Sequence, residues 1–89
     1  MAVKVDFIGP GGLEPGTTVI QVDLTPGATI RDLLRRLVEI YGNTARKKLL
    51  QLDGVTPYVE FIVKGKIVSP DHPLEAGDEV LILPPIFGG

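Results

Sequence analysis

Ile30, Leu33, Leu34, Leu37, Val38 and Tyr41 recur at i, i+3, i+4, i+7, i+8 and i+11, the spacing that gathers apolar side chains on one stripe of an α-helix. Thr29 with Asp32 forms a Thr-x-x-acid start, a variant of the capping box that normally uses Glu or Gln. Gly42 offers the C-terminal cap. A stripe of this kind is core rather than a ligand site, and it must be buried against another element. In a chain of 89 residues there is room for one core and no second domain. The flanking segments therefore decide what the helix packs on.

Those segments read as strands. Val3, Val5 and Phe7 alternate with Lys4 and Asp6, and Thr18, Ile20, Val22 and Leu24 alternate with Val19, Gln21 and Asp23, the period of half-buried strands. Residues 9–16 form a long glycine- and proline-rich loop between the two strands, which are expected to pair antiparallel. Thr25-Pro26-Gly27 ends the second strand. After the helix, Thr44 to Leu52 reads as a short second helical turn with Leu49, Leu50 and Leu52 buried, ended by Asp53-Gly54 and Pro57. Val59, Phe61 and Val63 alternate again, Gly65 marks a tight turn into Ile67-Val68, and Glu79 to Leu83 is a near-continuous apolar run suited to a central strand. The order β-β-α-β-β-β predicts an α+β chain of β-grasp (ubiquitin-like) type. In that fold a mixed sheet wraps over one main helix, with the first and last strands parallel at the centre. Residues 1–83 make the domain and 84–89 a flexible tail leaving the last strand at an edge.

Composition narrows the chemistry. There is no cysteine, which excludes a disulfide framework, a thiolate nucleophile and cysteine-ligated metal sites. The single histidine, His72, cannot build a multi-histidine site, so no metal ligands are assigned. No apolar run approaches the ~18 residues of a membrane span. Mean hydropathy is +0.26, and Met1 runs directly into the first strand, so a soluble, cytoplasmic protein without a leader is expected. The net charge of −2 is uneven. Residues 31–48 carry Arg31, Arg35, Arg36, Arg46, Lys47 and Lys48 against Asp32 and Glu39, a net +4, while residues 49–89 have a net −4. Such asymmetry orients partners. With only Tyr41 interleaved in the basic segment and an acidic pI of about 5.2, it does not point to nucleic acid.

The last six residues, Pro84-Pro85-Ile86-Phe87-Gly88-Gly89, are built to be threaded. Prolines favour an extended path that leaves the sheet ladder. The two glycines place no side chain near the carboxylate, so an enzyme can close tightly around it. Six extended residues reach roughly 20 Å at ~3.3 Å each, enough to carry Gly89 into a pocket on another protein.

By its last 22 residues the sequence resembles the ubiquitin-like sulfur carriers. The carrying residues are Val68-Ser69-x-Asp71-His72-Pro73-Leu74-x-x-Gly77-Asp78-Glu79-Val80 and Pro84-Pro85-x-x-Gly88-Gly89, with Thr29-Ile30-x-Asp32-Leu33-Leu34 at the helix start. It is most similar to the small subunit of molybdopterin synthase (MoaD-like), and more distantly to the thiamine-pathway carrier ThiS. The resemblance implies that Gly89 is adenylated by an E1-like (MoeB-like) enzyme using ATP. A sulfur donor enzyme then converts it to a thiocarboxylate, which is delivered to a synthase large subunit (MoaE-like). The chain itself would bind no cofactor and supply no catalytic groups. Phe87 departs from the family pattern, in which a small residue precedes Gly-Gly, and asks for a wider channel in the partner. His72 and its neighbours read as turn chemistry that seats Leu74 and launches the last strand.

Other readings share this tail. A ubiquitin-type protein modifier would use the same adenylated Gly89 but end in an isopeptide bond to lysine, and a carrier for thiamine or another sulfur pathway would differ only in its partners. A non-covalent β-grasp module would not need the free glycine. For a docking face, alternation sends Val80 and Ile82 toward the helix and Leu81 and Leu83 to the opposite side of the sheet. Tyr58 and Ile62 are expected to join them there, beside the base of the tail formed by Pro84, Pro85, Ile86, Phe87 and Gly88. The competing expectation is that residues 9–16 or 44–57 cover this face.

Overall fold

Alternation and helical periodicity both reappear in the computed structural model, which describes residues 1–9 and 12–84. Its strands are β1 (Ala2–Phe7), β2 (Val19–Asp23), β3 (Glu60–Val63), β4 (Lys66–Val68) and β5 (Glu79–Leu83), and its helices α1 (Ile30–Tyr41) and α2 (Asn43–Leu49). β1 buries Val3, Val5 and Phe7 on one face, as the period of two requires. β2 pairs antiparallel with it, Val3 opposite Val22 and Val5 opposite Ile20.

Thr29 and Asp32 form the reciprocal cap. The Thr29 hydroxyl accepts from the Asp32 backbone N–H, and the Asp32 carboxylate accepts from the Thr29 backbone N–H at 2.9 Å. These bonds hold the Asp32 carboxyl below its ordinary value, because they favour the ionised form. At the other end the Gly42 N–H donates to the Val38 carbonyl at 2.8 Å and stops the helix. Ile30, Leu33 and Leu37 are fully buried in the same core as Val3, Val5 and Val80 of the central strands. Each such side chain stabilises the domain by about 1.5–3 kcal/mol.

The sheet has five strands in the order β2-β1-β5-β3-β4. β5 lies parallel to β1 and antiparallel to β3, so the apolar run from Glu79 to Leu83 is the middle strand, and the architecture is the β-grasp. The first and last strands are parallel and β5 is central, as expected. The chain leaves β5 at the end of the sheet. Lys64 and Gly65, at φ 53° and 78°, make the two-residue turn between β3 and β4, the left-handed pair whose twist matches a hairpin.

The motif from Ser69 to Asp78 works as a structural clasp. The His72 N–H donates to the Ser69 carbonyl, the Ile30 N–H donates to the His72 carbonyl, and the Leu74 N–H donates to the Ala28 carbonyl at 2.8 Å. Leu74 is thereby set into the core. The buried Asp78 carboxylate accepts from the Glu75 N–H at 2.8 Å, and the Lys4 N–H reaches the Asp78 carbonyl at 2.9 Å, which ties the start of β5 to β1.

Two expectations fail in the segment after α1. Leu49 and Leu50 are buried, but Leu52 is fully exposed, because α2 ends at Leu49 and the chain turns outward. Tyr58 lies before β3 rather than within it, and its hydroxyl donates to the Lys47 carbonyl at 2.9 Å. Among the described residues no helix is long and apolar enough to cross a membrane.

Candidate functional site

β5 organises the site because its two faces have different tasks. Val80 and Ile82 are buried toward α1, and Leu81 and Leu83 are half-buried on the outer face. The register places Leu81 between Asp6 of β1 and Ile62 of β3, and Leu83 opposite Glu60. Ile62, Leu81 and Leu83 therefore share one patch on the outer face. Tyr58 does not belong to it: the bond to Lys47 turns its ring toward the end of α2.

Two residues that the sequence reading missed complete the patch. The tight Lys64-Gly65 turn sets Ile67 directly opposite Ile62, and Ile67 is 70% exposed. Ile8 follows the inward Phe7, is also exposed, and donates its N–H to the Ile82 carbonyl, extending the parallel register beyond β1 alongside Leu83. Both signals were present in the sequence, as hairpin register and as one further step of alternation. Contiguous exposed apolar surface is a common feature of interaction sites on small soluble domains. Asp6, Glu60 and Glu79 border it with Lys4, and a groove of about 330 Å³ lined by Ile62, Lys64, Asp78 and Leu81 opens at its far end.

Neither candidate loop covers this face among the described residues. Leu13 enters the core, Glu14 accepts from the Tyr41 hydroxyl at 2.7 Å, and the Gly12 carbonyl accepts from Lys48 Nζ at 2.6 Å. The first loop is thus drawn to the helical side. Residues 50–57 also stay there, with Leu50 in the core and Val55 beside α1.

At the near end of the patch, Gly9 adjoins the exposed Pro84, and a Cβ on Gly9 would sit 3.6 Å from the Pro84 ring. The base of the tail therefore emerges beside Ile8, Gly9 and Leu83. Pro85, Ile86, Phe87, Gly88 and Gly89 lie outside the described residues. Among the described residues no group of three or more His, Cys, Asp or Glu side chains comes together to hold a metal ion.

Several solved structures share the fold. SAMP1 of Haloferax volcanii, a small archaeal modifier protein, is 23% identical over 100% of both chains, with a TM-score of 0.80. A putative molybdopterin converting factor subunit 1 from Pyrococcus furiosus is 26% identical over 96% of this chain and 98% of that chain, with a TM-score of 0.71. A structure from Helicobacter pylori, a complex of subunits 1 and 2 of molybdopterin-converting factor, matches over 100% of both chains at 20% identity and a TM-score of 0.62. No curated protein sequence matches the chain. The model of the ThiS family matches residues 16–89, from the loop before β2 through the Gly-Gly pair. That match spans β2 through the tail, including both helices and the central β5, and the chain belongs to the ThiS family, whose ubiquitin-like fold is that of the sulfur carriers.

Proposed function

We propose that this protein is the small, sulfur-carrying subunit of molybdopterin synthase, with Gly89 as the reactive residue. The observation that carries this reading is the family match running through Gly89, on a domain whose central strand delivers the tail beside an uncovered apolar face. Similarity to the Pyrococcus furiosus subunit 1 and to the Helicobacter pylori two-subunit complex supports a large-subunit partner.

A carboxylate is a poor electrophile. In the proposed sequence the Gly89 carboxylate attacks the α-phosphorus of ATP in an E1-like enzyme, pyrophosphate leaves, and the mixed anhydride with AMP gains a good leaving group. The outer sulfur of a persulfide on a donor enzyme displaces AMP to form an acyl disulfide, and a second thiol of the donor then cleaves the S–S bond, releasing the Gly89 thiocarboxylate and leaving the donor as a disulfide. Held in the synthase pocket, this soft nucleophile acts at high effective concentration on the pterin precursor, and water then hydrolyses the resulting thioester, leaving the sulfur on the pterin as a thiol and Gly89 as a carboxylate. The chain's own part is to dock through Ile62, Leu81 and Leu83 and to thread residues Pro84 to Gly89. The partners supply the catalytic groups.

Intact mass of protein purified without reducing or alkylating reagents tests the reading. One sulfur in place of one oxygen at Gly89, discharged on adding the synthase large subunit and precursor, is the expected result. Discharge onto a lysine as an isopeptide instead would assign the chain to protein modification.

A further inference from the structure

The helical side of the molecule carries a second apolar feature, away from the outer sheet face. Between α1, the end of α2 and the following turn lies a groove of about 310 Å³, floored by Leu34, Val38 and Leu50 and rimmed by Arg35, Arg46 and Glu39. On the adjoining turn Leu52 is fully exposed and Val55 is 65% exposed. The turn is not loose. The Asp53 carboxylate accepts from the N–H groups of Val55 and Thr56, both at 2.9 Å, and from the Thr56 hydroxyl at 2.6 Å, while the Gln51 N–H donates to the Thr56 carbonyl at 2.7 Å. An apolar side chain fixed in water adds nothing to the fold, whereas one ordered in advance removes part of the entropy cost of binding.

Charge narrows the occupant. Arg31 pairs with Asp71, Arg35 with Asp32 and Arg36 with Glu39. Arg46 instead donates to the neutral Asn43 side chain, and among the described residues Arg46, Lys47 and Lys48 form no ion pair. Of these three, Arg46 lines the groove, whereas Lys48 is turned away with its Nζ on the Gly12 carbonyl, so the charge left without an acidic partner at the α2 end of the groove is that of Arg46. We propose that this groove docks a partner protein through an acidic segment bearing apolar side chains. The apolar groups cover Val38, Leu52 and Val55, and a carboxylate faces Arg46. The surface is separate from Leu81, so the partner binds while the sheet face stays free, and the inference does not rest on the sulfur-carrier reading.

The test uses the full chain and a synthetic helical peptide with leucines on one face and glutamates flanking them. Backbone amide shifts and fluorescence anisotropy read its binding, with a glutamine-for-glutamate peptide and oligo-dT as competitors. The amides of Arg46, Leu52 and Val55 are expected to shift. Arg46→Glu and Leu52→Ser should each weaken binding by about tenfold at an unchanged unfolding midpoint, and Leu81→Asp should leave it intact. The proposal is overturned by no shift at millimolar peptide, by shifts centred on Leu81, or by equal binding of the glutamine peptide. Displacement by oligo-dT also overturns it and would assign the surface to nucleic acid.

Discussion

Replacing Leu81 by Asp separates docking from folding. Leu81 is half-buried on the outer face, so its share of a fully buried leucine is about 1 kcal/mol. Aspartate is poorly suited to a strand, a penalty of up to about 1 kcal/mol. The new carboxylate also lies beside Asp6 in the parallel register, a like-charge contact of about 0.5 kcal/mol. Together the isolated domain loses about 2–3 kcal/mol, against the roughly 5–15 kcal/mol that holds small domains folded. For a domain of this size the melting point then falls by about 10–20 °C, and the protein remains folded at room temperature. Binding to a synthase large subunit and to an activating enzyme should weaken by about 2 kcal/mol or more, roughly 30-fold in Kd, because a side chain desolvated only in the complex is lost. Leu81→Lys should cost less stability, since Asp6 becomes a favourable neighbour, yet lose the same binding. Circular dichroism melts and titration calorimetry measure the two quantities. Unchanged affinity in a folded variant, or an unfolded isolated domain, refutes the assignment of Leu81 to docking.

Deleting Gly89 should leave thermal unfolding unchanged and abolish ATP–pyrophosphate exchange with the cognate activating enzyme; a truncated protein that still supports exchange ends the proposal for this residue. Gly65→Ala should destabilise by about 1–2 kcal/mol in chemical denaturation, for a backbone reason alone: φ is 78° and nothing lies within 4 Å of the added Cβ. Asp32 and Asp53 have carboxyl pKa values lowered first by hydrogen bonds from Thr29 and Thr56 respectively. Their stabilisation is present above the unfolded value of about 3.9 and is lost as pH falls through the lower folded values. The unfolding midpoint should therefore fall below about pH 4, and Asp32→Asn with Asp53→Asn should lower the neutral-pH midpoint and reduce that acid-side fall.

Local chemistry determined the elements. The α1 stripe, its Thr29–Asp32 cap and the Gly42 stop were legible in the sequence because helix periodicity and capping involve residues within one or two turns of each other. The alternation of β1 and β5 was legible for the same reason, and with it the two faces of the central strand. Tertiary structure decided what the local signals could not. Leu52 has the same apolar side chain as Leu49 and Leu50, but the cap bond from the Leu50 N–H to the Arg46 carbonyl closes α2, and the Asp53 turn then swings Leu52 into water. Tyr58 keeps step with Ile62 along the chain, yet the helix end at Lys47 offers its hydroxyl an acceptor and removes it from the outer face. Alternation and hairpin register already turned Ile8 and Ile67 to that face, and the neighbouring strands joined them to Leu83 and Ile62 in one patch. A residue's own pattern specifies which way it points along a strand or helix, whereas its exposure depends on surfaces far away in sequence.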